Sequence, residues 1–189
     1  MAPTERRAGL IKATLRTIAK QGIGETSHSA VAREAGVAVP TMFHYFATKE
    51  ILIEATLSEV SRFLLEELLA ANDNKDSSAP DSIECVLIAF CDSIDNEPDY
   101  ARAWLEWSVS IRDTLWGSYL EFYKDAQNGI RRILKRGVRE GSIRDDVNLD
   151  DASRVIVGLA HMVVQMKFSG ASRAQVTRTV GSLVTGYLK

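Results

Sequence analysis

The sequence predicts an all-α protein of about nine helices. Apolar residues recur at three- and four-residue spacing through most of the chain, and no segment shows the strict alternation of a half-buried strand. Glycines, prolines and capping Ser, Thr or Asp residues fall between the apolar runs. With 189 residues and 46% apolar content, the chain can bury a sizeable core. No stretch is long and apolar enough to span a bilayer. Arg6 and Arg7 lead into an amphipathic helix and not into the apolar core of a signal peptide, so a cytoplasmic protein without a membrane partner is expected.

The first helix is expected from about Thr4 to Lys20, with Ala8, Ile11, Leu15, Ile18 and Ala19 as its apolar stripe and Gly22 as its stop. Ser27 is an N-cap for a second, short helix with Val31, Ala32 and Ala35 on one face. Gly36 supplies the left-handed conformation of a sharp turn, and Val37 packs beneath it. A third helix starts near Val39, tolerates Pro40 in its first turn, and ends near Phe46. Phe43 and Phe46 are its expected inward anchors. Thr48 caps a long fourth helix carrying Leu52, Leu57, Val60, Phe63, Leu64 and Leu68, which runs to about Asn72. A polar loop is expected from Asn72 to Pro80.

The fifth helix is expected over Asp81 to Ile94, and Pro98 starts a sixth that runs to about Arg112. A seventh starts near Asp113 or Thr114, is weakened by Gly129 and Gly137, with Gly129 the place for a kink, and stops at Gly141. Asp150 and Asp151 open the eighth, where negative charge suits the helix dipole, and Ser172 caps the ninth. The expected domains are residues 1–48 and residues 49–189.

A short helix, a glycine turn, a second short helix and a capped long helix form the pattern of a helix-turn-helix. Its second helix is built to lie in the major groove of DNA. Charge distribution agrees. Formal net charge is −2, yet residues 1–50 hold seven basic and four acidic residues, leaving a mildly basic head on an acidic body. Thr41 and His44 are the candidates for base or phosphate contact, and Tyr45 for phosphate. Lys49, beside the start of the fourth helix, is a candidate anion site, as are Ser27 and Ser29 at the second. Arg33 is balanced between phosphate contact and an ion pair. The recognition helix holds no Asn, Gln or Arg, so specificity leans partly on DNA shape.

Val-Ala-Arg-Glu-Ala-Gly-Val (31–37), Thr-Met-Phe-His-Tyr-Phe (41–46) and Thr-Lys-Glu-Ile-Leu (48–52) together resemble the DNA-binding domain of the TetR family of bacterial transcriptional regulators. Gly22-Ile-Gly24, His28 and the block Trp104–Trp116 resemble the LuxR/HapR group of quorum-sensing master regulators. Ile11–Leu15 and His44–Phe46 are similar to BetI-like choline-responsive repressors. Two departures stand out. Ala38 replaces the usual Ser or Thr cap of the recognition helix, a loss of about 1 kcal/mol. Only Arg6 and Arg7 stand where the LuxR/HapR group carries a basic, minor-groove arm.

The resemblance implies a ligand-responsive repressor, or one that both activates and represses. It implies a homodimer on a palindromic double-stranded DNA operator, nucleoid-associated when bound. Two heads on a twofold axis also give the affinity that one small helix-turn-helix lacks. Val155, Leu159, Met162 and Met166 on the eighth helix are candidates for the dimer interface, with Val176, Val180, Leu183 and Val184 on the ninth. Phe63, Phe90, Trp104, Trp107, Phe122, Tyr123 and Met162 are candidate lining for a small apolar or cationic effector. Glu106 is open between a buried acid and a surface ion-pair partner.

Enzyme chemistry is not expected. The chain has no Gly-rich phosphate loop, nucleophile elbow or metal-ligand spacing, so no catalytic residue, metal or cofactor is assigned. Its three histidines, His28, His44 and His161, lie in different helices. Cys85 and Cys91, six apart on one helix, point to different faces and are expected to be buried, inert thiols. The alternative to a working regulator is a dimeric small-molecule- or partner-binding protein whose head no longer binds DNA.

Overall fold

A computed structural model of the chain describes residues 3–70, 73–111 and 114–189. Among these residues there are nine α-helices, one π-helical segment and no strand. The helices are α1 (Pro3–Glu25), α2 (His28–Ala35), α3 (Val39–Tyr45), α4 (Lys49–Arg62), α5 (Ala79–Asn96), α6 (Pro98–Ser108), α7 (Trp116–Arg139), α8 (Leu149–Phe168) and α9 (Arg173–Leu188); the π-helical segment (Phe63–Ala70) follows α4 directly. The expected end of the fourth helix near Asn72 falls outside the described residues, as do Arg112 and Asp113 themselves; α6 already ends at Ser108, short of the expected Arg112, and α7 starts at Trp116, just after the expected Asp113 or Thr114.

The chain forms two compact units. The first holds Met1–Arg62 and Glu97–Tyr119, and the second holds Phe63–Asn96 and Leu120–Lys189. In the first unit α1 packs on α2, α4 and α6, and α2 packs on α3. Leu10, Ile11, Ala13, Val31, Ala32, Met42, Phe46 and Leu52 form its buried cluster around the turn. Residues 1–48 lie wholly in this unit, which also holds α4 and α6. In the second unit α5 packs on α8 and α9.

Local chemistry explains most boundaries. Gly22 leaves helical geometry at φ 84° and ψ 163°, so the regular part of α1 stops where the sequence placed its end. Ser78 Oγ accepts from the Asp81 N–H at 3.3 Å and starts α5 two residues ahead of the expected position. Ala79 is therefore buried in the helix and not part of the loop, its N–H donating to Glu140 Oε1 at 3.0 Å. Asn148 Oδ1 accepts from the N–H groups of both Asp150 and Asp151 and caps α8. Ser172 and Gln175 form a capping box at α9.

Two glycines of α7 sit where other side chains come close. α7 is continuous through Gly129, and an added Cβ there would run into Leu69 Cδ2. At Gly137 an added Cβ would meet Ile143 Cδ1 at 2.5 Å and Ala79 Cβ at 2.7 Å. Both are close-approach positions. The π-helical segment was not expected. Its buried residues, Phe63, Leu68 and Leu69, recur five and six apart, which suits i→i+5 turns better than α-helical ones.

Candidate nucleic-acid interface

The turn is built as its residues demand. Ser27 Oγ accepts from the Ala30 N–H at 3.2 Å and starts α2. Gly36, at φ 66° and ψ 35°, ends it, its N–H turned back to the Ala32 and Arg33 carbonyls. Val37 N–H donates to Ala32 O at 2.9 Å, which fixes the chain's exit from the turn. Pro40 sits in the first turn of α3, and Ala38 makes no side-chain cap bond there, as the sequence implied. Thr48 Oγ1 accepts from the Ile51 N–H at 3.3 Å at the start of α4.

On α3 the side chains are turned differently from the sequence reading. Met42 and Phe46 are the buried anchors, both fully enclosed. Phe43, expected inside, is 53% exposed. Its ring lies parallel to the His28 imidazole, with centroids 4.3 Å apart and planes 4° apart. His28 is buried, and its Nε2–H donates to the Phe46 carbonyl at 2.8 Å. The second helix thus holds the end of the third by one hydrogen bond and one ring stack.

Ser27, Ser29, Arg33 and His44 are exposed, while Thr41, Tyr45 and Lys49 are half-buried. Arg6, Gly36, Val37, Ala38, Pro40, Thr41, His44 and Tyr45 line one open groove, which brings three of the expected residues together. Tyr45 packs partly on the head core, and His44 meets it edge-on at 5.1 Å. Lys49 is drawn to the α1–α2 turn, with Nζ donating to Gly24 O at 2.6 Å. An ammonium has three N–H donors, so this bond leaves donors for an anion.

Charge on the head is partly spent internally. Glu34 accepts from Lys20 Nζ at 2.6 Å and from Arg16 Nε at 2.8 Å. Those bonds hold its carboxyl below the usual carboxylate range. Arg6 lines the groove, whereas Arg7 lies over the Phe46 ring at 5.1 Å from its centroid. Both sit in the helical start of α1, so neither extends from the head as an arm. Phe43 is a surface residue that the sequence expectation left out of the site, and Arg6, considered only in place of a basic arm, lines the groove itself. Nothing local marks Phe43, since its ring is placed against a histidine of another helix.

The other expected sites are changed by burial. Val176, Val180 and Val184 are fully buried within the chain, on the side of α9 that packs with α5 and α8. They are core residues and not surface that a second copy can reach. Val155 and Leu183, each 43% exposed, and the half-buried Leu159, Met162 and Met166 remain accessible. Among the expected pocket residues, Phe63, Phe90, Trp104, Trp107 and Phe122 are buried, and Tyr123 and Met162 are half-buried. Trp104 and Trp107 belong to the first unit and the other five to the second. Trp107 Nε1–H donates to Leu115 O at 3.2 Å. Glu106 is exposed, its carboxyl beside Gly22. Cys91 is buried, which pushes its thiol upward, but Cys85 is exposed, against expectation. Among the described residues no group of His, Cys, Asp or Glu is placed to hold a metal, and no helix is long and apolar enough to cross a membrane.

Comparison with known proteins bears on the same segment. Residues 10–56 match the family model described as bacterial regulatory proteins, tetR family. Over 188 residues the chain is 26% identical to the HTH-type transcriptional regulator LuxR of Vibrio harveyi, covering 100% of this chain and 89% of that protein. It is 34% identical over 113 residues to the HTH-type transcriptional regulator BetI of Burkholderia mallei (strain NCTC 10229), a match spanning 57% of this chain and 56% of that one. The fold is similar to that of the transcriptional regulator FadR from Bacillus subtilis, solved with stearoyl-CoA, at a TM-score of 0.79 and 21% identity, covering 96% of this chain and 99% of that one. Its head, built around the turn at Gly36, is a DNA-binding domain of the tetR family of bacterial regulatory proteins, and over its full length the chain resembles HTH-type transcriptional regulators of that kind.

Proposed function

We propose that the chain acts as a homodimer whose two heads occupy adjacent half-sites of a palindromic operator, and that it represses transcription until an effector binds. The observation that carries this reading is the groove beside α3, where Arg6, Thr41, His44 and Tyr45 converge on one open face. In this reading His44 and Thr41 touch base edges or phosphate. Tyr45 and Lys49 hold phosphates, and Ser27, Ser29 and Arg33 contact the backbone from α2. Val155, Leu159, Met162 and Met166 form a stripe along α8 that, with Leu183 of α9, pairs with its copy. The protein then works in the cytoplasm, on the nucleoid when DNA-bound.

An effector of apolar or cationic character is proposed among Phe63, Phe90, Phe122, Tyr123 and Met162 of the second unit. The similar FadR structure, solved with stearoyl-CoA, supports an apolar ligand as the first to try. A second reading, a head that no longer binds DNA, is favoured by the uncapped start of α3 at Ala38. Duplex fragments recovered from genomic DNA by the full chain separate the two. Tyr45→Phe and Lys49→Ala are expected to weaken every recovered fragment alike, whereas His44→Ala reorders their ranking. Three variants that bind as the parent does would overturn the assignment of this face.

A further inference from the structure

Resting on the DNA-binding reading, we propose that Phe43 is a specificity-determining residue, its ring contacting the 5-methyl group of a thymine in the major groove. A lone exposed phenylalanine needs no explanation by itself. This one differs in its position and in its restraint. It lies on α3 between Met42, which is buried in the head, and His44, which is exposed. Just over half of its surface faces solvent, yet its ring is fixed against an imidazole that is itself buried and hydrogen-bonded to the end of the same helix. A ring held in this way presents an apolar edge at little further cost in side-chain freedom on binding.

The chemistry of the rest of α3 points the same way. Residues 39–45 are Val, Pro, Thr, Met, Phe, His and Tyr, so no Arg, Lys, Asn or Gln is present to read guanine or adenine by paired hydrogen bonds. Among base edges in the major groove, the thymine methyl is the group that apolar side chains recognise, phenylalanine among them. A site read through Phe43 therefore distinguishes thymine from cytosine, and from uracil, which differs from thymine by that methyl alone.

The test uses the full chain and duplexes enriched from a library with a random core. Each consensus thymine is then replaced by uracil, one base pair at a time. At one position per half-site the parent protein is expected to lose about fourfold in affinity, and about fifteenfold when both half-sites are changed, the effect of removing one apolar methyl contact from each. Phe43→Ala is expected to bind the thymine and uracil duplexes equally and to keep the parent's salt dependence. Phe43→Leu, which retains apolar volume, keeps part of the preference and assigns the residue should the alanine variant fold poorly. Indifference of the parent to uracil at every position would overturn the proposal, as would an unchanged uracil penalty in both variants. Failure to enrich any duplex is a different outcome and sinks the DNA-binding reading itself.

Discussion

Helices α3 and α9 are misread by sequence in opposite directions. On α3 an aromatic residue expected inside, Phe43, is exposed, and its neighbour Met42 takes the core position. On α9 three valines expected on an intermolecular surface, Val176, Val180 and Val184, are fully buried within the chain, while Leu183 next to them is exposed. Apolar periodicity identifies both helices as amphipathic. It does not say which neighbour covers the apolar side, because that depends on elements distant in sequence. On the seven-residue α3, Met42 takes the core position, and the Phe43 ring lies against His28 at the surface.

A charge placed at each kind of position on α9 should have very different consequences. Val180→Asp puts an unpaired carboxylate in a fully buried site and is expected to cost about 4 kcal/mol or more, abolishing a cooperative melt by circular dichroism. Leu183→Asp should keep the melt within a few degrees of the parent and shift sedimentation from dimer to monomer. If the two variants melt alike, the two positions are not distinguished by burial.

The α3 half is tested by truncating its two phenylalanines. Phe46→Ala should cost about 3–5 kcal/mol in chemical denaturation, since it empties a fully buried site. Phe43→Ala should cost less than about 1 kcal/mol, because its ring is half in solvent and loses one stacking contact. A reversal of that order would mean that the sequence expectation for Phe43 was right.

Smaller effects are expected at the two glycines of α7. Gly137→Ala forces its Cβ against the Ala79 Cβ, which has no rotamer to yield, and should destabilise by about 1–3 kcal/mol. Gly129→Ala meets the end of the Leu69 side chain, which can rotate, and gains about 1 kcal/mol of helix propensity, so it should be close to neutral. Thermal melts of the pair check this, and equal destabilisation would contradict it.

The smallest effect expected is the acid response of Glu34. Its carboxyl is held below the usual range by Lys20 and then Arg16. The stabilisation is therefore complete above the usual glutamate value and is lost as pH falls below it through the lowered value. Glu34→Gln should flatten that part of the stability–pH curve and leave the curve near neutrality almost unchanged, as befits exposed ion pairs. Identical acid limbs for the two proteins would show that the bridge contributes nothing.

What sequence made legible was local. Ser27, Gly36, Thr48 and Ser172 act within four residues of themselves, and each was found where its chemistry placed it. The helix-turn-helix and its family follow from such signals, because their order and spacing are contiguous in the chain. The candidate site was legible as a segment but not as a surface. Arg6 reaches the groove from α1, Lys49 is drawn to Gly24 across 25 residues, and Phe43 lies at the surface stacked on a histidine of another helix. The role of Gly137 was hidden for the same reason, since Ala79 lies far away in sequence.

In the proposed function the face formed by α2 and α3 engages duplex DNA in pairs, and equilibrium binding of the chain to an enriched duplex, titrated with salt, decides whether it does. A dimer-sized complex is expected, its affinity falling steeply and linearly on a log–log plot as several phosphate contacts release counterions. A chain that stays monomeric and binds no duplex even at low ionic strength would contradict it.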